Sequence, residues 1–196
     1  MVEALLARHG ESVAGERGIV NGDPAADFPL TQRGRAQARA LGDSLRDDRI
    51  DICFVSEFRR TRETAELALE GRRIPIEPLP ELNDIVFGDY EGRTLADYRD
   101  WITTAGPAAR PVGGESRAET VLRFAEAFRK ILDRPEPVVL VVTHGLPIRY
   151  LLDARAGEPI GLLITGVGNA EPHRFARADL ASAVERLNAW AAAPSW

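Results

Sequence analysis

The stretch Ala4-Leu5-Leu6-Ala7-Arg8-His9-Gly10-Glu11-Ser12 joins a short apolar run to an arginine, a histidine and a glycine. An apolar run of this length that ends at a turn residue is typical of a buried strand. His9 would then lie at the end of that strand, with Gly10 able to take backbone angles closed to other residues. In open α/β sheets ligands bind beyond the carboxyl ends of the strands, so the stretch predicts a site as well as a strand.

The same pattern returns at residues 138–145, where Val-Val-Leu-Val-Val-Thr is followed by His144 and Gly145. The chain has 3 histidines, and two of them follow such runs. A single histidine at a strand end is more often a structural hydrogen-bonding group than a catalyst. Two of them, one preceded by Arg8, predict a shared site at one edge of a sheet.

The composition is that of one ordinary domain. At 196 residues the chain is long enough for a well-packed α/β core, and we expect a single domain over residues 1–196. A net charge of -5 argues against nucleic acid or a membrane surface as partner. Cys53 is the only cysteine, which excludes an internal disulfide and a cysteine-based metal cluster. No secretion signal or run of transmembrane length is visible, so we expect a cytoplasmic protein.

Apolar runs alternate with helical periodicities along the rest of the chain. This alternation predicts a three-layer α/β/α sandwich, with a mostly parallel central sheet covered by helices on both faces. The further predicted strands are residues 51–55, 73–77, 138–143, 160–165 and 172–175, and the predicted helices begin near Thr31, Arg59, Leu95, Glu115 and Ile148. A last helix is expected to be capped by Asp179.

Charged side chains follow the second predicted strand. Arg59, Arg60 and Arg62 open a helix, where positive groups oppose the macrodipole. They form either a solvated face or an anion site shared with the free N–H groups of the first helical turn. With the two strand-end histidines and the acidic loop at residues 80–92, the set favours phosphoryl transfer through histidine. The few histidines and single cysteine do not make a convincing zinc site.

These residues resemble the histidine phosphatase superfamily, in its phosphoglycerate mutase-like branch. Arg8-His9-Gly10-Glu11-Ser12 is similar to that family's R-H-G signature. The other similar segments occur in the family's order over about residues 2–150: they are residues 22–34, 56–65 (SEFRRTRETA), 82–92 (LNDIVFGDYEG), 113–116 (GGES) and 143–145 (THG).

The resemblance implies a phosphohistidine mechanism without metal or cofactor. His9 would attack phosphorus, and Asp84 would protonate the leaving group and then activate water. The second strand-end histidine would complete the catalytic set, and the phosphate-binding residues would be Arg8, Arg60, His144, Asn21, Gly22 and Gly145. Glu81 and Glu91 compete with Asp84 for the acid role.

The chain departs from the family's pattern at two positions. Asp84 stands where glutamate is usual, and Gly15 stands where an asparagine usually contacts phosphate. His173 lies outside every motif, and we interpret it as structural rather than as part of the substrate rim.

The segment after the acidic loop bears on the reaction type. About twenty residues separate Gly92 from Gly114, which is similar to the small phosphatases, because mutases of the family carry a longer basic insertion. We therefore expect hydrolysis of a small phosphomonoester, with a cap around residues 93–114 and a substrate rim at Tyr98 and Trp101. A phosphoglycerate mutase and a non-catalytic phosphoryl-binding protein are the alternatives. A homodimer is a possible assembly.

Overall fold

The structure is a computed structural model that describes residues 1–162 and 166–196. These residues form five strands and seven helices, with two short 3₁₀ turns at Pro80–Leu82 and Gly88–Tyr90. In chain order the elements are β1 (Glu3–Arg8), α1 (Val13–Glu16), α2 (Gln32–Ser44), β2 (Ile52–Val55), α3 (Arg59–Ala68), β3 (Ile76–Pro78), α4 (Leu95–Ala105), α5 (Arg117–Leu132), β4 (Val138–Thr143), α6 (Gly145–Ala156), β5 (Pro172–Ala176) and α7 (Arg177–Ala192).

The strands form one sheet in the order β3-β2-β4-β1-β5. The first four of these run parallel, and β5 lies antiparallel to β1 at the edge. Arg8 pairs with Thr143 in the register of β1 and β4, and the N–H of His9 donates to the Thr143 carbonyl at 2.9 Å. The two histidines that follow these strands therefore lie side by side, and the predicted mostly parallel sheet is confirmed.

Side chains that alternate along the strands fill two separate cores, because successive residues of a strand point to opposite faces. Leu6 and Val141 pack with apolar side chains of α5, α6 and α7. Leu5 and Val142 pack on the other face with side chains of α2 and α3, where Cys53 is also buried. Helices cover both faces, so the predicted three-layer α/β/α sandwich is confirmed.

Several predicted boundaries differ from the structure. The helix expected from Ile148 begins at Gly145, because Pro147 lies in its first turn, where no N–H needs an intrahelical partner. Asp179 lies inside the first turn of α7, and Ala176 is the N-cap. The edge strand is Ile76–Pro78 rather than residues 73–77.

The strand predicted at residues 160–165 is not observed over 160–162, and residues 163–165 lie outside the described part of the chain. None of the described helices is long and apolar enough to cross a membrane.

A close backbone contact leaves no room for a side chain at Gly10. Its φ is not positive, so Gly10 does not use the backbone freedom that glycine offers. A Cβ atom at Gly10 would lie 2.4 Å from the Gly34 carbonyl oxygen, and one at Gly34 would lie 2.0 Å from the Glu11 carbonyl oxygen. The segment after His9 thus packs directly against the first turns of α2, which fixes its position.

We expect Gly34→Ala to lower the free energy of unfolding by about 2 kcal/mol, since the new methyl group meets backbone that cannot move aside cheaply. Gly15→Ala in α1 is the matched control, because a Cβ there would find only Ser12 Oγ, at 3.6 Å. Urea unfolding of the two variants measures the difference. Equal stability of both would contradict the close-packing explanation.

Candidate active site

His9 lies at the carboxyl end of β1 and is buried. Its Nδ1 lies 2.7 Å from the Gly10 carbonyl oxygen, which can only accept a hydrogen bond, so Nδ1 carries the proton. Nε2 is therefore unprotonated, and it accepts a hydrogen bond from Arg60 Nε at 3.2 Å. Burial and the nearby charges of Arg60 and Arg8 hold the pKa of His9 well below its usual value. The neutral ring thus has a free electron pair on Nε2.

Arg60 connects most of the site. Its guanidinium donates from Nη1 to Asn21 Oδ1 at 2.6 Å and from Nη2 to the Asn21 carbonyl at 3.1 Å, and Nη2 lies 3.5 Å from Asp84 Oδ2. Burial lowers its pKa to about 10, against the charge of Asp84. Arg59, one residue earlier, points to the surface and pairs with Asp27. Of the arginines that open α3, Arg60 is the one that reaches His9, as the sequence predicts.

Arg8 supplies the second positive charge. Its Nη1 donates to the Val167 carbonyl at 3.2 Å, and its buried Nε has no hydrogen-bond partner in the described part of the chain. Burial lowers its pKa, and the charge of Asp84 opposes this effect. A buried donor without a partner costs free energy, and an anion beside His9 would satisfy it.

His144 joins the arginine to the carboxylate. Its Nδ1 lies 3.3 Å from Arg60 Nη2 and 3.4 Å from Asp84 Oδ2, and its ring lies edge-on to that of His9, with centroids 5.3 Å apart. Nε2 contacts Ser56 Oγ at 2.9 Å, and Ser56 Oγ contacts Thr61 Oγ1 at 2.9 Å. These hydroxyl groups fix the ring so that Nδ1 faces Arg60 and Asp84.

Asp84 is the carboxylate of the site. Its side chain is 20% exposed and lines the cavity described below. Burial raises its pKa above the usual value, although Arg60 and a hydrogen bond from the Ile85 N–H oppose this rise. A carboxyl group of this kind can hold a proton at higher pH than an exposed aspartate.

The loop that carries Asp84 is held from helix α5. Arg123 donates from Nη1 to the Glu81 and Asn83 carbonyls, at 3.0 and 2.7 Å, and from Nη2 to the Asp84 carbonyl, at 3.1 Å. Glu115 in turn binds Arg123 Nη2 at 2.7 Å. Arg123 was not among the predicted site residues, although its place beside the apolar positions of an amphipathic helix is a signal for a partly buried cation.

The two competing glutamates lie elsewhere. Glu81 pairs with Lys130 Nζ at 2.7 Å, and this hydrogen bond lowers the pKa of Glu81. Glu91 accepts hydrogen bonds from the N–H groups of Gly22 and Phe87 and fixes the loop after α1. Neither glutamate lines the cavity, so the geometry favours Asp84 as the acid.

A cavity of about 280 Å³ lies beyond the ends of β1 and β4. The predicted site residues that line it are Arg8, His9, Asn21, Arg60, Asp84 and Gly145. Gly15 lines it as well, and a Cβ there would meet only Ser12 Oγ, at 3.6 Å. His144 is not among the lining residues, but it contacts Arg60 and Asp84, which are. His173 lies on β5, outside the cavity lining.

Three further predicted site residues do not line the cavity. The N–H of Gly22 donates to Glu91, and a Cβ there would lie 2.0 Å from the Ile85 carbonyl oxygen, so Gly22 packs the loop instead of facing the cavity. Tyr98 is fully buried, and Trp101 packs against it with ring centroids 5.7 Å apart. Neither aromatic residue lines the cavity, whose rim on α4 is formed by Leu95 and Arg99.

We expect Arg123→Gln to lower kcat for alkyl phosphates about 10-fold with little change in KM, because the carboxyl group of Asp84 loses its exact placement. Steady-state kinetics checks this split. Arg129→Gln on the same helix is the control, since Arg129 is exposed and pairs with Glu126. A change in KM alone would argue against a positioning role for Arg123.

Comparison with known proteins adds to this geometry. Residues 4–189 match the histidine phosphatase superfamily (branch 1). The chain belongs to this superfamily. The family and the α/β fold predicted from the sequence are therefore confirmed, and the chain is a phosphatase of the superfamily.

Relatives of the superfamily cover most of the chain. It is 38% identical over 149 residues to an adenosylcobalamin/alpha-ribazole phosphatase of Salmonella typhimurium, covering 71% of this chain and 72% of the relative. It is 34% identical to a 2,3-bisphosphoglycerate-dependent phosphoglycerate mutase of Gloeobacter violaceus, covering 78% of this chain and 74% of the relative. The crystal structure of the alpha-ribazole phosphatase from Shigella flexneri superimposes with a TM-score of 0.77 at 29% identity, covering 88% of this chain and 89% of the other.

Proposed function

We propose that the protein hydrolyses a small phosphomonoester through a phosphohistidine on His9. The observation that carries this proposal is the unprotonated Nε2 of His9, which lies in a cavity between Arg8 and Arg60 and near a carboxyl group with a raised pKa. This arrangement supplies a nucleophile, positive charge for the phosphoryl oxygens and a proton donor.

In the first step Nε2 of His9 forms a bond to phosphorus while the bond from phosphorus to the leaving oxygen breaks. Asp84 gives its proton to that oxygen, so the leaving group departs as a neutral alcohol. Arg8 and Arg60 stay charged and stabilise the phosphoryl oxygens. His144 Nδ1, at the junction of Arg60 and Asp84, is proposed to contact the same oxygens.

In the second step the Asp84 carboxylate takes a proton from water while that water attacks phosphorus. The bond between phosphorus and Nε2 breaks, phosphate leaves, and His9 returns to its neutral form. Asp84 ends the cycle protonated, as it began. All steps use groups of this chain, so we propose that the reaction needs no metal or cofactor.

The substrate is proposed to be a small phosphorylated metabolite. Relatives named alpha-ribazole phosphatase support this class, and a cavity of about 280 Å³ beside His9 suits a small molecule. We propose a cap at residues 93–114 because α4 contributes Leu95 and Arg99 to the rim. A single domain, a cytoplasmic location, the lack of nucleic-acid and membrane partners and a homodimer stay predictions.

A panel of phosphomonoesters with and without chelator tests the proposal. It contains 3-phosphoglycerate, sugar phosphates, nucleotides and an aryl phosphate, and phosphate release is measured. We expect release from several substrates at rates that the chelator does not change. Release that a chelator abolishes would contradict a reaction based on His9 alone. No release, together with phosphate exchange after priming by bisphosphoglycerate, would favour the mutase, and no reaction at all would favour a binding protein.

A further inference from the structure

A buried arginine outside the phosphoryl site has no acidic partner. Arg117, at the start of α5, is only 4% exposed. Its Nε donates to Tyr98 Oη at 3.2 Å and its Nη1 to Tyr150 Oη at 3.3 Å. Within residues 1–162 and 166–196, no carboxylate forms an ion pair with it. The two tyrosines raise the pKa of Arg117 against the effect of burial, but as neutral phenols they do not neutralise its charge.

This charge faces the cavity of the candidate active site. Arg117 lines the same cavity as His9 and Arg60, and its charge lowers the pKa of Asp84. Arg99, at the rim on α4, also lines the cavity, and its guanidinium has no hydrogen bond or ion pair with the described residues. Asp84 is the one carboxylate among the described lining residues.

The cavity therefore carries more positive charge than a phosphoryl group alone requires. Arg8 and Arg60 flank His9, whereas Arg99 and Arg117 belong to α4 and α5. Asp84, which protonates the leaving group in the proposed function, lines the same cavity, and the charge of Arg117 lowers its pKa. A substrate that places phosphorus at His9 would direct its leaving group toward this second pair of arginines.

We infer that Arg117, with Arg99 at the rim, forms a second anion subsite that binds a negatively charged group on the leaving-group side of the substrate. The inference rests on the proposed function for the direction in which the substrate lies. A carboxylate or a second phosphate has the required chemistry, because arginine binds either through paired N–H groups. The substrate class is then a phosphomonoester that carries a second anion.

Binding to the His9→Asn protein tests this inference without turnover. Titration calorimetry compares glycerol 3-phosphate with 3-phosphoglycerate, which differ by a hydroxymethyl group and a carboxylate, and with propane-1,3-diol bisphosphate, which carries a second phosphate. We expect 3-phosphoglycerate, the bisphosphate or both to bind at least about 10-fold more tightly than glycerol 3-phosphate. The tighter of the two identifies the second group as carboxylate or phosphate. Equal affinity for all three would overturn the subsite.

Variants separate a binding role from a structural one. In the same background Arg117→Gln is expected to abolish the preference while changing the affinity for glycerol 3-phosphate less than about threefold. Arg117→Lys, which keeps the charge, should retain part of the preference. A structural arginine would instead weaken all three ligands alike. If Arg117→Gln does not fold, Arg99→Gln provides the test, because Arg99 is exposed. We expect Arg99→Gln to reduce the preference for the second anion at low salt. An unchanged preference in this variant would count against the subsite.

The outcome is separable from that of the proposed function. A preference for the second anion in a wild-type protein that releases no phosphate would support the subsite and refute the hydrolase. Phosphate release without any preference for the second anion would support the hydrolase and refute the subsite.

Discussion

His9→Asn is expected to lower phosphate release at least about 10⁴-fold for every substrate, including those with good leaving groups. Asparagine keeps a polar side chain of similar reach at this buried position but lacks the nitrogen electron pair that would bond to phosphorus. The arginines alone cannot replace the covalent step, because they only stabilise charge. Steady-state release of phosphate measures the loss.

His173→Asn is the matched control, since this histidine lies on β5 outside the cavity lining and its replacement is expected to leave kcat within about twofold. Rapid mixing with an aryl phosphate, followed by an alkaline quench, should trap an acid-labile phosphoryl group on the wild type and none on His9→Asn. A phosphoenzyme that persists in His9→Asn would place the nucleophile elsewhere.

Asp84→Asn is expected to lower kcat about 10³-fold for alkyl phosphates and less than about tenfold for an activated aryl phosphate. An alkoxide needs a proton as it leaves, whereas a good aryl leaving group does not. Glu81→Gln is the matched control, because Glu81 pairs with Lys130 outside the cavity and should leave both rates unchanged. Equal losses on both kinds of substrate in Asp84→Asn would contradict the acid role.

The pH profile supplies a second test of Asp84. Its pKa is raised by burial, so the protonated form persists above the pH at which an exposed aspartate ionises and is lost as the pH rises further. For alkyl phosphates kcat/KM should therefore fall on the basic side, and this fall should be absent in Asp84→Asn. His9 should add no loss near its usual pKa on the acidic side, because its own pKa is well below that value.

The strand ends of the site were predictable because parallel strands bring their carboxyl ends to one edge of a sheet. Two apolar runs that each end in His-Gly thus sufficed to place His9 beside His144. The sequence also indicated an arginine from the start of α3, and the family motif selected Arg60. Placing the two histidines needed only the period of the strands and the order of the elements, whereas the choice of Arg60 needed the resemblance to the family.

The helices were harder to interpret. Tyr98 looked like a rim residue because it lies in a segment of aromatics and arginines, yet its ring packs against Phe87 and its hydroxyl group accepts from Arg117. Leu95 and Arg99, four residues apart, share the face of α4 that reaches the cavity. Composition does not specify which face of a short amphipathic helix turns inward when both faces carry aromatic and charged residues.

Contacts between segments far apart in the chain could not be predicted from the sequence. Gly22 belongs to a motif, but its role follows from Glu91, which lies 69 residues later and accepts its N–H. Arg123 is similarly understood only once the acidic loop is seen to rest on α5. Such pairs depend on the packing of loops, which no local pattern encodes.

Because the acidic loop is attached to α5, the position of the nucleophile and the position of the acid depend on different elements of the fold. His9 is fixed by the sheet and α2, whereas Asp84 is held through Arg123, and Arg117 begins the same helix. Helix α5 packs against α7, so we expect substitutions between these two helices to shift the preferred leaving group while the nucleophile stays in place. Selection could in this way produce new substrate ranges on one conserved reaction, and laboratory evolution of this chain would begin most productively at that helix interface.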